Sequence, residues 1–387
     1  MRKAVLAAGM AVLFMVGIVD GVMADESEEG VAADVEHVTI YYEEGRFGGW
    51  PANHGIWQWD NEILVGFSRG YYLDRGDRHH FDPNKPEDHV LARSMDGGET
   101  WTLEYPNEKG FLIPRGRALH GTELPDVPLP DVRQCPGGVD FAHPDFAMTI
   151  RMTAVGSGFS RYEYSYDRGH TWEGPFMLPQ FDTPGIAART DYIVDGHDTC
   201  TLFLTASKED GREGRPMAAR TEDAGATWEF LSWIGPEPDG FAIMPATVRL
   251  AENELYTVVR KRDGPKRWLK AYRSTDNGHT WERCVDPADD LGVGNAPALI
   301  ILQDGRLCLA YGYRAEPYGI HARLSSDNGR SWSDTIVLRD DGLSRDIGYP
   351  RMVQRPDGKV VAVYYYCDHE TGPERYIAGT IWSPPAP

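Results

Sequence analysis

The chain has 387 residues, 41% of them hydrophobic, and its 59 acidic residues against 39 Lys and Arg give a net charge of −20. That balance argues against a nucleic-acid-binding surface, and a protein this acidic must gather its arginines locally if it binds an anion. The five cysteines (Cys135, Cys200, Cys284, Cys308, Cys367) are too few and too scattered for a disulfide framework, and Cys308, within the apolar LCLAYG, reads as a buried thiol.

In chain order, residues 1–24 carry Arg2 and Lys3, an apolar run, then Val22, Met23 and Ala24 before an acidic start. This layout predicts a secretory signal peptide cleaved near Asp25, and an exported mature chain, periplasmic or extracellular. No later stretch is apolar enough to predict a spanning helix. After a candidate strand at VEHVTIYY (35–42), two series of motifs alternate along the rest of the chain. One is strand-like and opens at or near proline: WPANHGIW (50), HPDFAMTI (143), RTDYIV (189), MPATVRL (244), APALIIL (296) and YPRMVQR (349). The other is an octapeptide: SMDGGETW (94), SYDRGHTW (165), TEDAGATW (221), STDNGHTW (274) and SSDNGRSW (325). Hairpin signals such as DGRLCLAYGYR (304–314) and DGKVVAVYYY (357–366) lie between them.

A period near ~50 residues made of short strands is the signature of a propeller blade. Six starts predict an all-β, six-bladed β-propeller over residues 25–387. The sixth unit has no octapeptide, so ERYIAGTIW (374–382) is expected as its third strand and VEHVTIYY as its fourth, closing the ring. The Pro- and Gly-rich segment 103–139 is an insertion between the first two blades, either a lid or a surface loop. Within each octapeptide the Asp is suited to bond amides of its own turn, the Gly to adopt positive φ, and the Trp to bury its ring beneath. A calcium loop needs more carboxylates than the one each copy repeats, so the octapeptide reads as a structural fastener and no metal is expected.

These octapeptides, the period and the leader resemble the sialidase (neuraminidase) superfamily, six-bladed propellers that carry Asp boxes, and the chain is read as a diverged member. The resemblance implies boxes on the periphery and a site on the axis where the inner strands begin. It also implies an exo-glycoside hydrolase of a terminal acidic sugar that needs no cofactor: three arginines hold the sugar carboxylate, a glutamate-activated tyrosine attacks the anomeric carbon, and an aspartate is acid and base. Carried over residue by residue, Tyr349 matches the tyrosine, Arg260 the second arginine, Arg314 approximately the third, Arg69 an additional site arginine, and Asp82 the acid/base. Two positions depart. Gly49 stands in place of the first arginine, with Arg46 or Arg351 as substitutes, and Met244 stands in place of the glutamate, with Asp191, Glu213 or Asp239 as substitutes.

Independently of the resemblance, the blade starts put His54, Asp145, Arg189, Asp191, Tyr349 and Arg351 near one axial mouth, joined by Glu213 and Arg215. Such a cluster suits an acidic glycan, and His with Tyr also suits lyase chemistry on a uronic acid. Three functions stay open: the sialidase-type hydrolase, a lyase or hydrolase for another sugar such as a uronic acid or rhamnose, and a glycan-binding propeller without turnover.

Overall fold

The structure is a computed structural model that describes residues 30–116 and 123–387. The expected signal peptide lies outside the described residues. Six antiparallel sheets follow one another along the chain and form a β-propeller.

Blade four shows the plan. Strands Phe241–Ala251, Glu254–Asp263, Lys266–Ser274 and Glu282–Arg283 run in sequence order from the inside outward. Ile243 pairs with Arg260 and Arg262 with Arg267 at one end of the blade; Leu255 pairs with Ser274, where the Asp box begins, at the other. Inner-strand starts and boxes therefore lie at opposite ends.

Blade one has its inner position split into Arg46–Gly49 and Ile56–Trp59 by a one-turn helix, Pro51–His54. Blades three and five follow the plan, and Gly30–Val31 adds a parallel edge to blade five. Blade six orders Gly348–Gln354, Val360–Tyr366, Tyr376–Ser383 and then Ala33–Tyr41, so the first long strand completes the last sheet as expected. Closure leaves blades one and six packed face to face, with Ile63, Val65 and Phe67 in one buried cluster with Val361, Val363 and Tyr365. All five cysteines are free.

Blade two departs from the expectation. HPDFAMTI was expected to open its inner strand, but Ala147–Met152 pairs with Ser160–Ser165, the strand entering the box, and is therefore the second strand. The sheet has three strands among the described residues. Its inner edge is satisfied by neighbours: Met148 N–H donates to the Tyr192 hydroxyl (3.3 Å), Ile150 N–H to Thr190 Oγ1 (2.9 Å), and Thr149 Oγ1 to the His54 carbonyl (2.9 Å).

The boxes act as turn fasteners. Asp276 Oδ1 accepts the Thr280 N–H (2.9 Å) and the Ser274 hydroxyl (2.8 Å), Oδ2 accepts the Thr280 hydroxyl (2.6 Å), and the Gly278 N–H donates to Ser274 Oγ (2.8 Å). Both carboxylate oxygens are thus spent within the turn.

Candidate active site

At the end opposite the boxes, a cleft of about 430 Å³ is bordered by Arg75, Arg78, Arg260, Arg314 and Arg345, together with His79, Asp77 and Asp346. Five arginines in one cleft is the local concentration that a chain of net charge −20 needs for anion binding. Tyr349, 3% exposed, lies behind this lining, in contact with Arg260 and Arg314. Arg260 Nη1 donates to the Tyr349 hydroxyl (3.3 Å), and the Arg314 guanidinium carbon stands 5.4 Å from the centre of the Tyr349 ring.

The backbone explains how these groups meet. Trp50, Met244 and Tyr349 each precede a proline, Pro51 at the start of the one-turn helix and Pro245 and Pro350 within inner strands, and each is left-handed, with φ of 57°, 56° and 51°. Such residues are costly and persist where surrounding packing over-determines them; all three share one buried cluster. At Tyr349 the clamp is Asn295, whose Oδ1 accepts the Tyr349 N–H (2.8 Å) and whose Nδ2 donates to the Ile347 carbonyl (2.8 Å). Gly348, at φ 100°, leaves no room for a Cβ against that amide.

Beside Tyr349 is a second, tighter set. Asp346 Oδ1 meets His79 Nδ1 at 2.6 Å and accepts the Tyr365 hydroxyl at 2.6 Å, and Oδ2 accepts the His80 N–H at 2.9 Å. Arg375 stands 3.6 Å from Oδ2 and Arg314 3.9 Å from Oδ1. Burial would raise the Asp346 pKa, but His79, Arg375 and Arg314 prevail and hold it well below the usual carboxylate range. Arg314 also donates to the Tyr365 hydroxyl (2.6 Å) and the Ile347 carbonyl (2.8 Å), so its orientation is fixed. Arg260 is less engaged: burial lowers its pKa, and its Nε is buried without a hydrogen-bond partner among the described residues.

A family model described as a BNR repeat-like domain matches residues 147–362. The chain belongs to the BNR repeat-like family. No curated protein matches it. Among solved structures it is similar to a protein of unknown function from Dyadobacter fermentans (21% identity, TM-score 0.66, 90% of this chain and 99% of that one). It is also similar to the NanB sialidase from Streptococcus pneumoniae (12% identity, TM-score 0.55, 89% and 70%) and to an alpha-L-arabinofuranosidase from Fusarium graminearum (12% identity, TM-score 0.53, 88% and 97%). At these identities the likeness establishes the fold: a sialidase-like BNR propeller of the kind that glycoside hydrolases use.

In this BNR propeller, Arg260, Arg314 and Tyr349 come together, and of the other expected residues Glu213 lies within electrostatic reach of Arg260. Arg351 donates to the Ala52 carbonyl (2.6 Å) and to that of Thr190, and lines a narrow axial channel with Asp191 and Arg189. Burial raises the Asp191 pKa to about 7 against the pull of Arg351, and its Oδ2 accepts from Thr247 (3.1 Å). Arg189 is held by Glu213 (2.5 Å) and Asn53 (3.0 Å). Asp191, Glu213 and Asp239 thus leave the place of the missing glutamate unfilled: the Tyr349 hydroxyl has no carboxylate partner among the described residues.

Six placements correct the expectation. His54 is fully buried between blades, bonded to Ser68 (2.8 Å) and Arg151 (2.5 Å). Arg69 pairs with Asp88 (2.6 Å) and stacks on Tyr105 beyond the outer strand of blade one. Arg46 also meets Asp88 (3.7 Å) and covers Tyr71, so it does not supply the missing arginine. Asp82 caps its own loop by accepting the Asn84 N–H (3.0 Å). Asp145, displaced because blade two lacks the expected inner strand, lies at the box end, bonded to Arg168 (2.6 Å). Arg215 pairs with Glu237 (3.2 Å) and stacks on Trp233. The described part of the 103–139 insertion packs on blades two and three, with the Ile113 carbonyl accepting from Arg161 (3.1 Å) and the Val139 N–H donating to the Ala224 carbonyl (2.9 Å). Sequence reasoning missed His79 and Asp346. The signal for Asp346 was its place three residues before Tyr349, in RDIGYP.

Proposed function

We propose that the chain is an exported, exo-acting glycosidase that cleaves a terminal acidic sugar. The observation that carries this reading is the convergence of Arg260 and Arg314 on Tyr349 behind the lining of an arginine-rich cleft. Two fixed guanidinium groups suit a sugar carboxylate, because charge-assisted, forked hydrogen bonds orient it as well as bind it. A carboxylate so held brings the anomeric carbon over the Tyr349 hydroxyl, the nucleophile of a retaining displacement. Export rests on the layout of residues 1–24.

A second reading is favoured by one observation, the lack of a carboxylate at the Tyr349 hydroxyl together with a histidine whose ring centre is 6.1 Å from that of Tyr349. In β-elimination on a uronate, the same arginines neutralise the carboxylate while a His or Tyr removes the proton beside it. A panel of neuraminides, glucuronides, galacturonides and iduronides, as aryl glycosides and as oligosaccharides, separates the readings. Release of a free reducing sugar from the non-reducing end supports the hydrolase, and an ultraviolet-absorbing unsaturated uronate supports the lyase. Binding with no turnover across the panel removes both in favour of a glycan-binding propeller.

A further inference from the structure

We infer that His79, positioned by Asp346, is the proton-transfer group of this cleft, the role that the resemblance assigns to Asp82. The inference rests on the glycosidase reading above and goes beyond it by replacing the expected carboxylic acid with an imidazole.

Two observations carry it. Asp82 is turned into its own loop, and the cleft is bordered by its neighbours Phe81 and Pro83. His79 itself borders the cleft, and its Nδ1 is fixed on Asp346 at 2.6 Å. A buried carboxylate on one ring nitrogen sets the ring orientation, and Nε2 is the nitrogen that exchanges a proton with substrate. Asp346 is itself held by Tyr365, the His80 amide, Arg375 and Arg314, an arrangement more extensive than a surface ion pair requires. The ring is also braced by Trp50, edge-on at 5.4 Å.

The chemistry balances in two steps. In the first, Tyr349 Oη bonds to the anomeric carbon, the bond to the leaving oxygen breaks, His79 Nε2 gives that oxygen its proton, and the tyrosine proton passes to bulk water. In the second, water attacks the anomeric carbon, His79 takes one of its protons, and the bond to Tyr349 breaks as that oxygen regains a proton from bulk water. The groups that face His79 include Asp346, Tyr365 and Tyr349, with Arg314, Arg375 and His80 around Asp346.

The test uses the acidic sugar that the wild-type chain releases in the panel above, presented as its 4-methylumbelliferyl glycoside and as a disaccharide. His79→Gln is expected to lose about 10²- to 10⁴-fold on the disaccharide, whose leaving oxygen needs a proton, and less than tenfold on the aryl glycoside. Asp346→Asn is expected to repeat the His79→Gln pattern more weakly, with the larger loss on the disaccharide, because the ring loses the carboxylate that orients it. Equal losses on both substrates, or none, overturn the inference and leave the glycosidase reading standing. Wild-type inactivity across the panel overturns both. If circular dichroism shows His79→Gln to be unfolded, His79→Ala with added imidazole decides: restored disaccharide cleavage supports the role, and no restoration overturns it.

Discussion

Tyr349 combines a strained backbone with a hydroxyl that meets a buried arginine, and the two properties can be separated by mutation. Tyr349→Phe keeps the ring packed and removes one hydrogen bond, so the expected stability loss is about 1 kcal/mol while glycosidase turnover falls at least 10³-fold. Thermal melting and initial rates on the best panel substrate check the pair. Gly348→Ala is expected to do the reverse of a clean active-site change: the new Cβ meets Asn295 at a positive φ, so melting temperature and activity fall together. Glu87 lies in the buried network of Ser68, His54 and Arg151, and burial raises its pKa from the ordinary 4.5 to about 7. An acid raised in this way weakens the fold as pH climbs from about 4.5 through about 7, because ionisation is easy in the unfolded chain and opposed in the folded one. Glu87→Gln is therefore expected to raise the melting temperature at pH 8 and to change it little at pH 4. At this scale Arg260, Arg314 and Tyr349 were legible, because the box spacing fixes where inner strands begin and second strands end. His79 was not, because it lies on the loop between Tyr71 and Asp88, where no strand period constrains position.

At the scale of the element, the box converts one carboxylate into a rigid turn. For Asp276 burial works against ionisation, but hydrogen bonds from Thr280 and Ser274 outweigh it and bring the pKa down to about 2 from 3.8. A depressed acid contributes stability above its unfolded value and loses it as pH falls through the folded one. Asp276→Ala is expected to cost about 1 to 2 kcal/mol at pH 7, with the difference from wild type shrinking between pH 4 and pH 2. Chemical denaturation at the two pH values reads this directly. The boxes were legible because a turn is a local problem solved by neighbours in sequence. The missing inner strand of blade two was not legible: HPDFAMTI has the hydrophobicity and proline of an inner strand, and only its pairing with Ser160–Ser165 reveals its place. Asp145 was misassigned for that one reason.

At the scale of the molecule, six sheets are held in a ring by contacts between neighbours and closed by the long-range pairing of Ala33–Tyr41 with Tyr376–Ser383. Deleting residues 30–41 is expected to expose the edge of Tyr376–Ser383 and to promote aggregation, read as a shift toward the void volume in size-exclusion chromatography relative to the full chain. Blade number and ring closure were readable from period alone, since repetition reports on architecture whatever the chemistry.

That closing pairing has a consequence for how the protein is made. Tyr349 belongs to the sheet whose outer strand, Ala33–Tyr41, precedes blade one in the chain and whose third strand ends at Ser383. The sixth blade is therefore not complete until its third strand has been made, and a stop codon anywhere in that blade leaves the ring open. The same adjacency of ends suits the protein to circular permutation: a chain joined across that sheet and reopened at the exposed Asp304–Gly305 turn would present the same ring in a new order of synthesis.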